Sequence, residues 1–365
     1  MTAALTRKEK SFIALWIFIL ILFYAIATTV AAMIMQHDKA DSQQRQQERL
    51  NPFVQESGFT ENDSTIPNQQ NAEPVKVGLY IDHIVDFSTK KTNWTVNFYV
   101  WFRWKNKDLQ PGRTFQVLNG EILSRELIDS TFHEDEYYVL YRVVTQITKF
   151  FNITRYPRDN HLLTISIEDS QHQWQKLKYI PERSASDISS RVKLPGYQLY
   201  GDSMVSKPHP CRADRGDPRL RAGSRIYYNQ LIYGIFISRP DWGLYYKMFE
   251  SLFASVAIAL LVFFMNPKGD GRIGLGIGAF FAAVASSYVT SSELPGIGIL
   301  TLSDLVNILG MTTIFFSVLC SIIVMKIAEN EKNLRLALIF DKLSLVIFLT
   351  GYLLANMVVA QFASV

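Results

Sequence analysis

Long apolar runs and short charged breaks alternate along the last third of the chain. The apolar runs span 244–265, 273–291, 302–325 and 343–361, and a fifth run, 11–35, lies near the N-terminus. A helix needs about 20 apolar residues to cross the hydrocarbon core of a bilayer. The pattern therefore predicts five membrane-spanning helices, four of them clustered in the sequence.

Between the first run and the other four, the hydrophobic pattern changes to a period of two. Apolar side chains occupy alternate positions from Val77 to Ile81 and again from Val96 to Trp104. Such alternation is typical of half-buried strands. Further strand-like runs lie at 137–147, 162–168, 197–206 and 225–238. Short strands separated by turns predict an antiparallel β-sandwich.

These patterns divide the chain into four regions. We predict an N-terminal transmembrane anchor at 1–36, a polar and poorly ordered linker at 37–73, a β-sandwich at 74–241 and a four-helix transmembrane domain at 242–365. The predicted fold class is a membrane α + β protein. Its external antiparallel β-sandwich is followed by a four-helix transmembrane bundle, and an extra transmembrane helix lies at the N-terminus.

The N-terminal apolar run has two interpretations. Arg7, Lys8 and Lys10 precede it, as in secretory signals, and Ala31-Ala32 offers a cleavage site. The apolar stretch of a signal peptide is about 7–15 residues long, and the run from 11 to 35 is longer. We therefore favour a retained anchor over a cleaved signal.

Lysines and arginines in the breaks between helices predict the orientation. The breaks 266–272 and 326–342 carry basic residues, whereas the break 291–301 carries none. Basic residues concentrate in cytoplasmic loops. We therefore expect a multi-pass protein of the cell inner (plasma) membrane. Its N-terminus would be cytoplasmic and its sandwich periplasmic or extracellular.

Composition excludes several functional classes. The net charge of +4 lies largely in the breaks between helices, so nucleic acid is not an expected partner. The two cysteines, Cys211 and Cys320, fall in a polar loop and an apolar run, and we expect no disulfide. The sequence contains no metal-ligand spacing and no nucleophile–base pair, so we expect neither an enzyme nor a metal or other cofactor.

Three segments carry a resemblance to a known family. Asn93–Leu109 resembles a second strand that ends in Trp, and Tyr156–Asp159 (YPRD) resembles an aromatic-Pro-x-Asp loop. Tyr233–Tyr246 resembles a last strand that runs through an Arg into the first spanning helix. With the order of elements, these segments resemble the pentameric ligand-gated ion channels, specifically their prokaryotic members. The resemblance covers about residues 74–362 and implies a homopentamer.

The resemblance implies a set of coupling residues between the sandwich and the helices. Asp159 and Pro157 belong to the aromatic-Pro loop, and Arg239 would pair with Asp159 at the junction. Leu294 and Pro295 occupy the positions of a Leu-Pro turn that follows the pore helix in the family. Proline would fix that turn in a rigid conformation.

Two features of this junction differ or remain open. In animal members, two cysteines close the aromatic-Pro loop, and Lys149 and Leu163 take their positions here. Prokaryotic relatives lack that bridge. Arg239 also has an alternative role as an interfacial arginine beside the aromatic residues of 242–246.

The resemblance also implies that residues 272–292 line a pore. Helical spacing from the Leu-Pro turn predicts one pore-lining face, formed by Gly274, Gly278, Phe281, Ala285, Tyr288 and Ser292. Phe281 would form a hydrophobic ring, and such rings can gate a channel by dewetting. Asp270, followed by Arg272, would lie at the cytoplasmic mouth and give a weak preference for cations.

One feature of the predicted pore helix favours an alternative function. Gly274 and Gly278 form a GxxxG pattern, which is typical of closely packed membrane helices. Family pores usually carry Ser or Thr on these turns. The alternative is a non-conducting, membrane-anchored sensor or accessory subunit of the same fold.

Ligand-binding candidates follow from their positions relative to the family's aromatic box. They are Trp174, Tyr179, Tyr227 and Tyr228, with Trp101 and Arg103 from the neighbouring subunit. A cation over such a ring gains about 0.5–2 kcal/mol. Each aromatic residue has the alternative role of core or surface packing. A small ligand, a proton or a divalent cation are all open as agonists, and the arginines of 211–224 form a basic loop that we expect to be solvated.

Overall fold

A computed structural model describes residues 6–53, 68–211, 226–296 and 298–364. Contacts divide the chain into two units. The helical unit comprises Met1–Ala40, Asn152–Asp159 and Arg239–Val365, and the sandwich unit comprises Asp41–Phe151 and Asn160–Ser238. The short segment Asn152–Asp159 connects two strands, yet its contacts group it with the helices.

The first helix, α1, extends further than its apolar run. It spans Arg7–Leu50, a length of 44 residues. The prediction of a poorly ordered linker from residue 37 is therefore wrong as far as Leu50, while 54–67 lie outside the described residues. Gln, Arg, Glu and Lys are good helix formers, and extending a nucleated helix requires little further ordering.

Among the described residues, ten strands follow α1. In chain order they are β1 (Glu73–Ser88), β2 (Asn93–Trp104), β3 (Phe115–Val117), β4 (Gly120–His133), β5 (Glu136–Thr148), β6 (Asn160–Asp169), β7 (Leu177–Pro181), β8 (Asp187–Ile188), β9 (Gln198–Cys211) and β10 (Ile226–Ser238). A one-turn helix, α2 (Pro111–Thr114), precedes β3.

The strands form two sheets. One sheet has the order β4-β5-β2-β1-β7, with β8 also paired to β1, and the other has the order β3-β6-β10-β9. The predicted antiparallel arrangement needs one correction, because β7 and β8 run parallel to β1. Hairpins impose antiparallel pairing, whereas longer connections permit either direction. The chain passes through the second sheet before it returns to β1, so no hairpin fixes the direction of β7.

The alternation read from the sequence sets the core of the sandwich unit. Trp94, Val96, Phe98, Val100 and Phe102 on β2 have no exposed surface. They pack with the apolar residues of β1, β6 and β10. A one-residue slip would turn this whole row outward, so burial fixes the register of β2 between its neighbours.

Four helices follow β10. They are α3 (Gly243–Leu260), which a 3-10 turn extends to Phe264, α4 (Gly271–Ser292), α5 (Leu302–Ala328) and α6 (Leu334–Ala363). Including α1, the described residues contain five helices long and apolar enough to cross a membrane. A capping box starts α5, in which Asp304 N donates to Thr301 Oγ1 and Thr301 N donates to the Asp304 carboxylate.

Candidate functional site

The loop Asn152–Asp159, which we call the junction loop, connects β5 to β6. Its backbone folds on itself, since Tyr156 N donates to Ile153 O at 2.9 Å and Arg158 N donates to Arg155 O at 2.7 Å. The Tyr156-Pro157 peptide bond is cis. These turns present the side chains of the YPRD motif to the helical unit.

The predicted Asp159–Arg239 pair is in contact. Arg239 Nε lies 3.2 Å from Asp159 Oδ1, and the aspartate is buried. The backbone adds a hydrogen bond from Arg239 N to Asp159 O at 3.1 Å. The guanidinium also lies 5.0 Å from the centre of the Tyr156 ring. Arg239 is therefore held by charge, by its backbone and by an aromatic face.

Sequence reasoning missed the role of Arg158. Its guanidinium donates to the carbonyl of Pro240 at 2.7 Å and lies over the Trp242 ring at 4.4 Å. The sequence predicts Trp242 as a neighbour of Arg239, whereas in the structure the Trp242 ring lies against the Arg158 guanidinium. The only available signal was the position of Arg158 inside the motif, between Pro157 and Asp159.

The junction loop also contacts the start of α5 and lies within electrostatic reach of the end of α4. Leu302 N, the first amide of α5, donates to Thr154 O at 2.7 Å. Burial raises the pKa of Tyr156, and the carboxylates of Asp159 and Glu293 add to that rise. Glu293 directly follows α4, in the turn that contains Leu294 and Pro295.

A hydrogen bond from Lys149, the residue after β5, reaches β6 on the other side of the junction loop. Its ammonium donates to the carbonyl of Leu162, beside the position where the resemblance places a family cysteine. Burial, together with the Arg49 guanidinium near the end of α1, lowers the pKa of Lys149 to about 7. A hydrogen bond that depends on a buried amine therefore spans the same gap as a disulfide would.

The predicted pore-lining face of α4 is exposed in the single chain. Phe281 is 68% exposed, and Gly274, Gly278, Ala285, Tyr288 and Ser292 are also exposed. The opposite face is buried through Arg272, Gly276, Ala279, Ala283, Ser286 and Thr290. This division leaves one stripe of α4 available to other copies, to lipid or to water.

The close packing suggested by GxxxG occurs at another glycine. A Cβ at Gly276 would collide with the side chain of Val318 on α5, whereas Gly274 and Gly278 face open space. Val318 is β-branched and cannot easily move aside. Gly276 is thus the residue that permits the close approach of α4 and α5.

The prediction of Arg272 as a selectivity residue needs correction. Arg272 is fully buried and forms a two-pronged pair with Asp341 on α6, at 2.9 and 2.7 Å. It also donates to Met265 O at 3.1 Å. A buried guanidinium that is paired with a carboxylate presents no free charge at the surface of the single chain. Asp270 is exposed, immediately before α4, where the helix dipole favours a negative charge.

Trp101 and Arg103 belong to a charged network on one face of the first sheet. Trp101 Nε1 donates to one Glu182 oxygen at 2.7 Å and Arg103 donates to the other at 2.9 Å. Arg103 also contacts Glu136 at 2.7 Å, and Lys76 donates to Glu136 at 2.9 Å. The hydrogen bond from Lys76, with that from Arg103, lowers the pKa of Glu136. This sheet network remains half-exposed.

The other ligand candidates are less accessible than predicted. Tyr179, Tyr227 and Tyr228 are buried, because other parts of the unit cover their strands. Trp174 is half-buried and its backbone N donates to Tyr227 O at 2.7 Å. In the single chain the burial of the three tyrosines agrees with the alternative role of core packing, and their role as ligand contacts stays a prediction. The arginines of 212–221 lie outside the described residues.

A cavity of about 300 Å³ in the sandwich unit was not predicted. Its lining includes Trp104, Tyr137, Tyr138 and Tyr141, with the cationic side chains of Lys107 and Arg113. Small-molecule sites typically have volumes of about 300–1,000 Å³ and combine aromatic walls with a few polar groups. The cavity therefore has the size and chemistry for a small ligand.

The geometry defines an apolar bundle joined to a β-sandwich unit, with a charged loop held among the helices. No protein-family model matches the chain, and no curated protein matches it. The assignment of a function therefore depends on the residues of the chain itself.

Proposed function

We propose that this chain is a subunit of a homopentameric ligand-gated ion channel, similar to the prokaryotic members of that family. The five apolar helices support insertion into the inner membrane. The positions of Lys and Arg support a cytoplasmic N-terminus and a periplasmic sandwich. Binding to the sandwich would shift an equilibrium between a closed and an open pore.

The contacts of the junction loop are the observation that carries this proposal. Residues 149–151 separate the loop from β5, and β6 follows it directly, so the covalent chain itself links those strands to the loop. Asp159 contacts Arg239 just before α3, and Thr154 accepts from Leu302 at the start of α5. A receptor that gates helices from a β-domain needs a connection of this kind.

The exposed face of α4 supports conduction. Five copies of Phe281 would form an apolar ring, and five copies of Asp270 an acidic ring at the cytoplasmic end. With Arg272 neutralised by Asp341, Asp270 supplies the free charge at that end of α4. The acidic ring favours a cation-leaning pore.

The sandwich unit offers two places where a ligand would act. The sheet network around Arg103 presents paired charges at the surface, where a proton or a divalent cation would compete for Glu136 or Glu182. The cavity beside Tyr137 and Tyr141 suits a small organic molecule. Either event would alter β5, which leads into the junction loop.

Recording of single channels in planar bilayers tests the proposal, with pH and divalent cations varied. Phe281→Ala should raise open probability on the order of tenfold, equivalent to about 1.4 kcal/mol, because the ring loses apolar surface. Phe280→Ala, a change at the adjacent and less exposed position, should leave gating near that of the parent protein.

One outcome would reject the channel, and another would reject only the role assigned to Phe281. A purified protein that is dimeric, or pentameric and silent under all conditions, would favour the non-conducting sensor or accessory subunit. Equal changes in open probability in Phe280→Ala and Phe281→Ala would show that Phe281 is not the gating ring.

A further inference from the structure

The helix α1 is fixed among the other helices by specific contacts. The Tyr24 hydroxyl lies 3.0 Å from Thr313 Oγ1 on α5. On α6, a Cβ at Gly351 would collide with the Tyr24 ring, so this glycine makes room for it. The rings of Phe23 and Phe316 lie 4.9 Å apart. These contacts set both the depth and the rotation of α1, which a simple tether would not require.

Near the end of its apolar part, α1 contacts the junction loop through one carboxylate. Asp38 Oδ1 accepts from Asn152 Nδ2 at 2.7 Å, and Asp38 Oδ2 accepts from Arg155 Nε at 3.1 Å. The Arg155 side chain is 3% exposed and that of Asp38 14%. Both oxygens of Asp38 are therefore used, and the pair is shielded from water.

The effect of Asp38 continues into the turn of the loop. Asn152 Oδ1 accepts from Thr154 N at 3.0 Å and from Thr154 Oγ1 at 2.7 Å. Thr154 O is the acceptor for the first amide of α5. Asp38 thus orients Asn152, and Asn152 orients the residue that contacts α5.

We propose that α1 is a permanent fifth helix of the bundle and that Asp38 positions the junction loop for its contacts with α3 and α5. The loop cannot leave Asp38 without removing this carboxylate from the buried guanidinium of Arg155, which carries a large penalty. A displacement of α1 would therefore move the loop that contains Asp159. The four-helix pattern of the resembled family contains no such element.

The consequence for gating rests on the proposed function, whereas the positioning of the loop does not. Asp38 is a positioning residue, because it acts through the loop and contacts neither a ligand nor an ion. The two parts of the inference are therefore tested by different measurements.

Hydrogen exchange with mass spectrometry on the full-length protein in nanodiscs tests the positioning. Asp38→Asn should accelerate exchange of the Thr154, Tyr156 and Arg158 amides on the order of tenfold, because loss of a buried charge partner favours local opening. The matched control is Asp41→Asn, three residues further along α1, whose side chain is 43% exposed. Its loop exchange should match that of the parent protein.

A second variant keeps the test decisive if Asp38→Asn does not fold. Asn152→Ala removes one of the two contacts of Asp38 together with the acceptor of the Thr154 amide, and it leaves the pair with Arg155. The Tyr156 and Arg158 amides, which do not bond to Asn152, should therefore exchange faster by a smaller factor. Loop exchange within twofold of the parent protein in a folded Asp38→Asn, or in Asn152→Ala, would overturn the proposal.

Current recordings separate this inference from the proposed function. If the protein conducts, Asp38→Asn should shift the midpoint of activation by protons, while Asp41→Asn should not. Faster loop exchange in a protein that never conducts would support the positioning role and reject the channel. Loop exchange in Asp38→Asn that matches a conducting parent protein would support the channel and reject the positioning role of Asp38.

Discussion

The two units place the arginine–carboxylate pairs compared below in different environments. In the helical unit, Arg272 and Asp341 are buried and directly paired. Near the junction, the buried Asp159 pairs with Arg239, whose side chain is 14% exposed. In the sandwich unit, Arg103 is 41% exposed and shares two glutamates with its neighbours. The same chemistry, guanidinium with carboxylate, therefore occurs in one dry and one wet environment.

This contrast suggests a division of roles. A buried pair cannot lose one member without leaving an uncompensated charge, so it couples two elements firmly. A half-exposed network gains little from each pair, because water and salt screen the charges. Protons, ions or ligands can rearrange such a network at low cost. Under the proposed function, the sandwich network would take part in sensing, and the buried pairs would take part in transmission.

Breaking the driest pair should have the largest effect. Arg272→Gln leaves Asp341 buried without its guanidinium partner, and such losses cost about 3–5 kcal/mol. We expect a large fall in the thermal midpoint of the detergent-solubilised protein.

The control for this prediction removes both charges. Arg272→Met with Asp341→Leu replaces the pair by apolar side chains of similar volume, a change that is often neutral or stabilising. The double variant should recover most of the stability lost in Arg272→Gln. A double variant as unstable as the single one would show that shape, rather than charge, accounts for the effect.

The two buried pairs also differ in how far the sequence predicts them. Asp159 and Arg239 lie in segments that resemble a family motif, so the sequence points to their contact. Arg272 and Asp341 lie 69 residues apart, in the first turn of α4 and inside α6. No local pattern links them, and the choice of partner depends on how α4 and α6 are rotated. Asp38 and Arg155 were missed for the same reason.

The fold shows the same limit. Strand β2 was predicted because its apolar row alternates cleanly and is buried. Strand β4 was missed, because most of its side chains are exposed and burial imposes no period on them. The polarity of the last part of α1 predicts a linker, although its composition favours a helix. Elements with a buried face can be predicted from the sequence, because burial imposes a hydrophobic period. An exposed strand that forms by pairing with its neighbour, or a polar helix that extends an apolar one, has no such period and is not predicted.

The buried Lys149 makes the stability of the sandwich unit depend on pH. Because the pKa of Lys149 falls to about 7 in the folded protein, the folded state binds fewer protons than the unfolded state between pH 7 and about 10. Stability should therefore rise with pH across this window, by up to about 1.4 kcal/mol per pH unit. Below pH 7 both states hold the proton, and the full cost of burying the charge remains.

Thermal unfolding at a series of pH values measures this slope. Lys149→Met removes the titrating group and should flatten the curve. Lys178→Met, at an exposed position of the same unit, should leave it unchanged. Identical slopes in the parent protein and Lys149→Met would mean that Lys149 is not the source.

The smallest effect on stability belongs to the sheet network. Arg103→Gln removes two half-exposed pairs, each worth about 0.2–1 kcal/mol, so the thermal midpoint should fall only slightly. The fall should shrink further in high salt, because exposed charges are screened.

Arg272→Gln should keep its lowered thermal midpoint in high salt, since salt screens a buried pair much less. Salt dependence thus distinguishes the two environments more sharply than stability alone. A deficit in Arg103→Gln that is large and insensitive to salt would place this network with the buried pairs and end the distinction between sensing and transmission.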